Sequence, residues 1–335
     1  MTRWTLPAGL NANWSGRADM ISTRHILASA AMVLATSPAL ADIEWPTQSV
    51  MLVTHSSAGG GGDVMLRNLA PTLEGKFSIS TTVDNRVGGS GAVAATWLAN
   101  QANPDGYTLK SVTPTQLITP LRAEGIPTYE DMTPIARLFL DPTTLYVHDN
   151  SPFETIEDFL DYAQENPRDL SIGIGSAGSL DQLVLQNFTA ATEISARTVP
   201  HEGGGDAVVA LLGEHVDAVV GEPGQALTHL QDGTLRMLTV FQEERLDAYP
   251  DVPTLAELGY EVTSNKFRGI FGPPGMDPEM VEAIATTLSE LYDDEPWNTY
   301  WTEASLSDAF MGPEEFAEYL GVVNEEMRAF IEGLN

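Results

Sequence analysis

The chain has 335 residues, a formal net charge of −31 at pH 7 and no cysteine. Its length allows two domains with separate cores, and the missing cysteines exclude disulfides and thiol chemistry. The acidic balance argues against binding to nucleic acid or to an anionic membrane surface. The acidic residues are dispersed along the chain, which favours a solvating surface over the function of an acidic tail.

A leader-like segment comes before the part of the sequence that reads as a folded protein. It begins at Met20, an alternative start, and reads "MISTRHILASAAMVLATSPALA". A basic head, the apolar run 26–36 and the small residues of 39–41 are typical of a secretory signal peptide. The apolar run is too short to span a bilayer. We therefore expect residues 1–41 to be removed and the mature protein, starting near Asp42, to be exported to the periplasm.

Strand and helix patterns alternate after this segment. Residues 49–54, "SVMLVT", predict a buried strand, and the glycine-rich segment that follows leads into a helix. Pro71 stands inside that helical pattern and should kink or shorten it. Two further strands are predicted at 80–85 and 107–112, with a glycine loop and a helix between them. This alternation predicts an α/β fold with a parallel sheet.

The middle of the chain predicts a break and then a second α/β unit. Residues 113–144 hold five prolines and predict a less regular stretch. The second unit opens with a helix at which Thr155 and Asp158 form the pattern of a capping box. Strand and helix patterns then alternate again, as they did in the first unit.

Two amphipathic helices close the chain, and no strand-rich unit is predicted after them. They must therefore pack on an element that is already formed. This favours a discontinuous first lobe, residues 42–147 plus 267–335, with residues 148–266 inserted as the second lobe. Two α/β lobes joined by two crossings make a hinged clamp.

Glycine-rich loops follow predicted strands in both lobes. They read "HSSAGGGGD" (55–63), "RVGGSG" (86–91), "GIGSAGSLD" (173–181) and "PHEGGGD" (200–206). Glycine and serine leave backbone N–H groups free to face a ligand, and a helix N-terminus adds partial positive charge. Because ligands of such sheets lie outside the carboxyl ends of the strands, the loops predict an anion held between the lobes. Each loop alone is equally explained as a helix start, with Asp63 and Asp181 as caps.

The segment 173–178 also matches the G-x-G-x-x-G pattern of a dinucleotide turn, with Glu202 as the acidic residue beyond the next strand. An NAD-dependent oxidoreductase is therefore an alternative function. An exported protein meets little NAD, however, and the motif lies inside the inserted lobe. An adhesive or structural exported protein is a further alternative.

Other chemistry finds little support in the sequence. The nucleophile-elbow and P-loop patterns fail at the glycine loops. The histidines show no metal-ligand spacing, which favours surface or capping roles for them. We expect no catalytic residue, no cofactor and no metal.

Longer motifs resemble a known family. "SAGGGGDVMLRNLA", "DNRVGGSGAVAATWLA" and "NPDGYTL" are similar to the first half of the periplasmic solute-binding receptors of tripartite tricarboxylate transporters, the Bug or TctC family. "VPHEGGGDAVVALLGEHVDAVVG", "YPDVPTLAELGYE" and "FRGIFGPPGMDPEMV" resemble its second half and its return into the first lobe. The resemblance implies a two-lobed type II periplasmic-binding-protein fold, or Venus flytrap, that is not an enzyme. It further implies a di- or tricarboxylate or aromatic acid held in the cleft between the lobes, and delivery by a monomer to the membrane subunits of the transporter.

The resemblance also implies a set of ligand-binding residues that act largely through backbone N–H groups and water. These are Ser56, Ser57, Ala58, Gly59, Gly60, Asp63, Gly88, Gly89, Ser90, Gly91, Thr113, Thr115, Ser176, Ala177, Gly178, Ser179, His201, Gly203, Gly204 and Gly205. Asp63 corresponds to the family's acidic residue after the first glycine loop, where it orders the loop or holds a second ligand group. "HSS" and "PHEGGG" depart from the family's Pro-Phe-Pro-like and Pro-Tyr-Lys-Gly segments, which leaves the identity of the carboxylate open. Because the loops lack lysine, we expect backbone donors rather than a basic pocket, with Arg86 as a cleft arginine of small effect.

Overall fold

The computed structural model describes residues 43–264 and 266–333, so the predicted signal peptide lies outside the described residues. The strands are β1 (Val50–Thr54), β2 (Thr81–Asn85), β3 (Thr108–Val112), β4 (Thr133–Leu140), β5 (Thr144–His148), β6 (Ser171–Ile174), β7 (Arg197–Pro200), β8 (Ala218–Gly221), β9 (Leu235–Val240), β10 (Phe267–Gly272) and β11 (Ser307–Met311). The helices are α1 (Gly61–Phe77), α2 (Ala92–Gln101), α3 (Thr115–Arg122), α4 (Ile156–Glu165), α5 (Leu180–Ala191), α6 (Gly204–Leu212), α7 (Pro223–Gln231), α8 (Pro278–Ser289), α9 (Trp297–Glu303) and α10 (Pro313–Gly333). Within these residues, no helix is both long enough and apolar enough to cross a membrane.

The first sheet has six strands in the order β11-β4-β10-β3-β1-β2. β1 pairs in parallel with β2 and β3, as the α/β alternation predicts. β10 lies between β3 and β4 and runs antiparallel to both. The three strands on which the prediction of a parallel sheet rested are therefore parallel, whereas the complete sheet is mixed, because the chain returns to it from the second half of the sequence in the opposite direction.

The second sheet has five strands in the order β7-β6-β8-β5-β9. β6 is parallel to β7 and β8, whereas β5 is antiparallel to β8 and β9. The chain passes between the sheets twice, from β4 to β5 and from β9 to β10. This sheet membership is compatible with a discontinuous first lobe, and the boundaries of the two lobes stay a prediction.

Two local predictions are wrong, and one strand was not predicted. The stretch 113–144 is regular, since it forms α3, β4 and the first residue of β5. α1, of 17 residues, is not shortened at Pro71, because burial of Leu69 and Leu73 on its apolar face holds the helix against the sheet. A strand, β11, lies between the closing helices and pairs with β4 at the edge of the first sheet. Its sequence, SDAFM, begins with two exposed polar residues and does not show the apolar pattern of a buried strand.

Separate hydrophobic clusters stabilise the two sheets. One joins α1, β1 and β4 of the first sheet to α8 and α9, with Phe139 and Trp297 fully buried. Another joins α4, α5 and the strands of the second sheet around Phe159 and Phe188. The last helix, α10, packs through Phe316 on β10. Both closing helices therefore pack on the first sheet, as the sequence predicts.

Candidate ligand-binding cleft

Residues from the two sheets enclose a cleft of about 300 Å³. The first sheet and the strand returning to it contribute His55, Ser56, Gly61, Gly62, Gly88, Gly89, Ser90, Gly91, Thr113, Thr115, Lys266 and Arg268. The second sheet and its helices contribute Gly175, Ser176, Ala177, Ser179, Asp181, Pro200, His201, Glu202, Gly203, Gly204, Glu222 and Gln225. Apart from Ala177 and Pro200, every lining residue is a glycine or carries a polar side chain. The cleft therefore suits a small, strongly polar molecule.

Helix N-termini dominate the walls of the cleft. Six helices of the described chain place their N-cap or first-turn residues in the lining, namely α1, α2, α3, α5, α6 and α7. The first N–H groups of a helix have no partner inside the helix, and the helix dipole makes this end partly positive. Their convergence creates a site that stabilises an anion.

The loop 88–91 shows why glycine is required at the start of α2. Gly88, Gly89 and Gly91 have φ values of 121°, 57° and 92°, which side-chain-bearing residues rarely adopt. A Cβ on Gly91 would also collide with the side-chain amide of Gln116. The glycines thus allow a tight turn at the start of α2, in which the Gly91 N–H donates to the Gly88 carbonyl at 3.2 Å and Gln116 packs directly behind Gly91.

The structure brings many of the predicted site residues together in the lining of the cleft. These are Ser56, Gly88, Gly89, Ser90, Gly91, Thr113, Thr115, Ser176, Ala177, Ser179, His201, Gly203 and Gly204. The other predicted residues lie outside the lining: Ser57, Ala58, Gly59, Gly60, Asp63, Gly178 and Gly205. Seven further lining residues lie in glycine-rich loops that the sequence predicts at the cleft but were not among the named ligand-binding residues: His55, Gly61, Gly62, Gly175, Asp181, Pro200 and Glu202. Sequence reasoning missed four lining residues outside these loops, namely Glu222, Gln225, Lys266 and Arg268.

Asp63 orders the first glycine loop from behind. Its carboxylate accepts hydrogen bonds from the Gly59 backbone N–H at 2.9 Å, from Arg67 Nε at 2.9 Å and from Asn85 Nδ2 at 2.8 Å. Burial alone would raise the pKa of Asp63, but the hydrogen bonds from Arg67 and Gly59 hold it below its ordinary value. The resemblance implies that Asp63 either orders the loop or holds a second ligand group. These contacts show the first of the two roles.

Two basic side chains lie at the floor of the cleft, so the expectation of a cleft without a basic pocket is wrong. Lys266 Nζ lies 2.8 Å from Asp181 Oδ1 and also pairs with Glu222. Arg268 pairs with Asp141, which is fully buried. Both cations belong to the start of β10 and not to the glycine loops, which is why the composition of the loops did not reveal them. Their spacing in "KFRGIFG", with charges at alternate positions of an apolar strand, was the available signal.

Arg86 is not a cleft residue, contrary to the expectation. Its guanidinium lies 3.7 Å from the centre of the Trp97 ring. One of its nitrogens is 2.7 Å from Asp84 Oδ2. The side chain is therefore held on the surface of the first sheet by a cation–π contact and an ion pair.

Burial lowers the pKa of two basic groups near the cleft. Lys110 is fully buried and donates from Nζ to the Ser111 carbonyl at 3.0 Å and to Gln116 Oε1 at 2.5 Å. Burial lowers the pKa of Lys110 to about 7. Burial also holds the pKa of His55 well below its usual value, and the charges of Lys110, Lys266 and Arg268 add to the effect. His55 is therefore a neutral imidazole at neutral pH.

The sequence predicts surface or capping roles for the histidines, and this prediction is wrong for the two histidines of the cleft. Within the described residues, His55 Nδ1 and His201 Nε2 are buried and have no hydrogen-bond partner. Unpaired buried polar atoms carry a free-energy cost, which a ligand or water in the cleft would remove. The described residues contain no group of three or more acidic or histidine side chains arranged to hold a metal ion.

The two sides of the cleft touch each other beside the cavity. Ser90 Oγ donates a hydrogen bond to the Ala177 carbonyl oxygen. At the other flank, a Cβ on Gly60 would lie 3.5 Å from the backbone nitrogen of Gly205, and a Cβ on Gly203 would overlap Ser57. The clamp is thus closed in this structure, and glycines allow the close approach of the backbones.

Residues 65–321 match the model of the tripartite tricarboxylate transporter family receptor, TctC. The chain belongs to this receptor family. It is 28% identical over 309 residues to the "UPF0065 protein in gbd 5′ region" of Cupriavidus necator, covering 92% of this chain and 94% of that protein. A solved "periplasmic transporter" superposes with a TM-score of 0.82 at 23% identity, over 87% of this chain and 99% of that one. An R. palustris protein solved with adipate gives a TM-score of 0.80 at 25% identity, over 86% and 98% of the two chains.

The match confirms the resemblance drawn from the sequence. The type II periplasmic-binding-protein fold is confirmed by the superpositions. The family consists of solute-binding receptors and not of enzymes, so the alternative of an NAD-dependent oxidoreductase is not supported. The chain is a solute-binding protein of the tripartite tricarboxylate receptor family.

Proposed function

We propose that this receptor captures a small organic carboxylate in the cleft and delivers it to the membrane subunits of a tripartite tricarboxylate transporter. The observation that carries the proposal is the convergence of six helix N-termini on a polar cavity of about 300 Å³. An anion in such a place accepts several backbone N–H bonds and meets the positive ends of the helices. The adipate found with the R. palustris relative supports a carboxylate as the ligand.

Recognition of the carboxylate would begin at the first sheet. Gly89 and Ser90 lie at the start of α2, and Gly61 and Gly62 lie at the start of α1. Their N–H groups would meet the carboxylate, together with the hydroxyls of Thr113 and Thr115, which also line the cleft. The second sheet would complete the site with Ser176, Ser179 and the loop 201–204. We assign ligand contact to the predicted residues that line the cleft, and support of the first loop to Asp63.

The same proposal includes the location and the organisation of the protein. Removal of residues 1–41 would release a mature receptor into the periplasm, where the ligand and the transporter meet. The lobes, residues 42–147 plus 267–335 and residues 148–266, would act as a monomer that opens and closes around the two crossings. The closed contacts beside the cavity represent the bound form of this cycle.

A thermal-unfolding screen tests the proposal. The mature protein is heated alone and with mono-, di- and tricarboxylates, with aromatic acids, and with NAD and nucleotides as controls. A carboxylate at one hundred times its Kd should stabilise the folded protein by about 2.7 kcal/mol. A rise in Tm with a nucleotide and with no organic acid would overturn the proposal.

A further inference from the structure

Lys110 is a buried cationic residue that has no carboxylate partner among the described residues. It is the central residue of β3, and its side chain is fully buried. Its Nζ donates to the Ser111 carbonyl at 3.0 Å and to Gln116 Oε1 at 2.5 Å, and both acceptors are neutral. A buried ammonium group without a counter-charge is costly, so this position favours an anion nearby.

A short chain of contacts joins Lys110 to the loop 88–91. Gln116 lies in the first turn of α3 and is 3% exposed. Its Oε1 accepts from Lys110, whereas its Nε2 lies so close to Gly91 that a Cβ there would collide with it. Within the described part of the chain, this buried Nε2 has no hydrogen-bond partner. Because Gly91 lines the cleft, one amide group separates the Lys110 ammonium from the cleft wall.

The charge of Lys110 also acts on a residue that lines the cleft. His55 is a lining residue, and the charge of Lys110 lowers its pKa. This effect is larger than those of Lys266 and Arg268, which line the cleft themselves. An anion in the cleft therefore lies within the field of Lys110, as it does within the fields of the two lining cations.

The neighbouring elements do not supply a counter-charge. β3 lies between β1 and β10 in the sheet, with α1 and α3 packed nearby. The titratable groups that these elements bring to the region are His55, Asp63, Lys266 and Arg268. His55 is neutral, and Lys266 and Arg268 are cations that pair with other carboxylates. The Asp63 carboxylate is held by Gly59, Arg67 and Asn85.

We propose that Lys110 is the buried counter-charge of the bound carboxylate and takes up a proton when the carboxylate enters the cleft. This inference deepens the proposed function and rests on it. Burial lowers the pKa of Lys110 to about 7, so the side chain is mostly neutral at pH 7.5 without ligand. A negative charge in the cleft favours the protonated form, and the buffer supplies the proton that Nζ gains. Because the complex then binds more protons than the free protein, the affinity should fall as the pH rises above 7.

Calorimetric titration of the mature protein in buffers of different ionisation enthalpy measures this proton uptake. Bis-Tris, triethanolamine and Tris are suitable, because they are cationic and do not compete for an anion site. The probes are adipate, succinate, tricarballylate and benzoate, which are almost fully ionised at pH 7.5. For the probe that binds most tightly, we expect an uptake of about half a proton per bound molecule at pH 7.5 and a loss of affinity of about fivefold from pH 7 to pH 9.

Four variants assign the proton to a residue. Lys110→Met removes the ammonium group and should abolish both the uptake and the dependence of affinity on pH; Lys110→Gln serves if that variant does not fold. His55→Gln should retain the uptake, which distinguishes Lys110 from the other buried base near the cleft. Lys76→Met makes the same change as Lys110→Met at an exposed lysine of α1 and should also retain the uptake.

The possible results separate this inference from the proposed function. Binding of a probe without proton uptake overturns the inference and leaves a carboxylate receptor. Uptake that persists in Lys110→Met or Lys110→Gln, or that disappears in His55→Gln or Lys76→Met, also overturns it, since another group would then take up the proton. Failure of every organic acid of the thermal screen to bind overturns the proposed function itself, and the inference with it.

Discussion

Gly205 should control closure of the clamp. It lies in the first turn of α6 and faces the backbone of residues 58–60 on the other side of the cleft. A methyl group at Gly205 would collide with the Ala58 carbonyl oxygen and lie 2.9 Å from the Gly59 carbonyl carbon and from the Gly60 nitrogen. These are backbone atoms, which cannot turn away as a flexible side chain can. Gly205→Ala should therefore hold the two loops apart.

The expected magnitude follows from the overlap. Overpacking a close contact typically costs about 1–3 kcal/mol, which corresponds to a loss of affinity of about 5- to 150-fold. The backbone of Gly205 is not in the left-handed region, so alanine fits the helix itself. Because alanine favours helix over glycine by up to about 1 kcal/mol, the thermal stability of the ligand-free protein should be unchanged or higher. Affinity and stability should thus change in opposite directions.

Calorimetric titration with the tightest-binding carboxylate, together with thermal unfolding without ligand, measures both quantities. Gly75→Ala is the matched control, because Gly75 lies in α1 with no atom within 4 Å of an added Cβ. It should leave the affinity unchanged. Wild-type affinity in Gly205→Ala would refute the role of the contact between residues 58–60 and Gly205 in closure.

Three further predictions follow from buried groups. The pKa of Lys110 is about 7 in the folded protein, whereas the ordinary value for lysine is 10.5. Between pH 7 and pH 10.5 the unfolded state therefore binds more protons than the folded state, and the free energy of unfolding rises with pH. Relative to Lys110→Met, the wild-type free energy of unfolding should increase by about 2 kcal/mol from pH 7 to pH 9 in urea titrations; parallel pH profiles would contradict this. Asp63→Asn should weaken the hydrogen bond from the Gly59 N–H and increase the hydrogen-exchange rate of this amide at least tenfold. An unchanged exchange rate would show that other contacts order the loop. Phe139→Ala should lower the free energy of unfolding by about 3–5 kcal/mol in urea, because its ring packs 5.3 and 5.4 Å from the ring centres of Tyr292 and Trp297; a loss below 1 kcal/mol would contradict a close-packed core.

Local patterns in the sequence were enough for much of the fold. The capping box at α4 is present as predicted, with Thr155 Oγ1 accepting from the Asp158 N–H at 3.2 Å and the Asp158 carboxylate accepting from the Thr155 N–H at 3.0 Å. The glycine loops could be predicted as helix starts at the cleft, because the start of a helix depends only on the residues next to it.

The features of the fold and the cleft that local patterns did not predict depend on contacts between distant parts of the chain. Lys266 and Arg268 enter the cleft because β10 inserts between β3 and β4, and no local pattern records that insertion. The neutral state of His55 depends on burial and on Lys110, Lys266 and Arg268, which β3 and the start of β10 bring to it. The continuation of α1 through Pro71 depends on the sheet against which the helix packs.

The central claim is that helix N-termini at the cleft bind a carboxylate through backbone N–H groups. The most direct measurement is an amide ¹H–¹⁵N NMR titration of the mature protein with the tightest-binding carboxylate from the screen. The amides of Gly61, Gly62, Gly89, Gly91 and Gly204 should shift in a saturable manner with one common Kd. Saturable shifts confined to a different surface, such as the pocket lined by residues 242–248, would contradict the account.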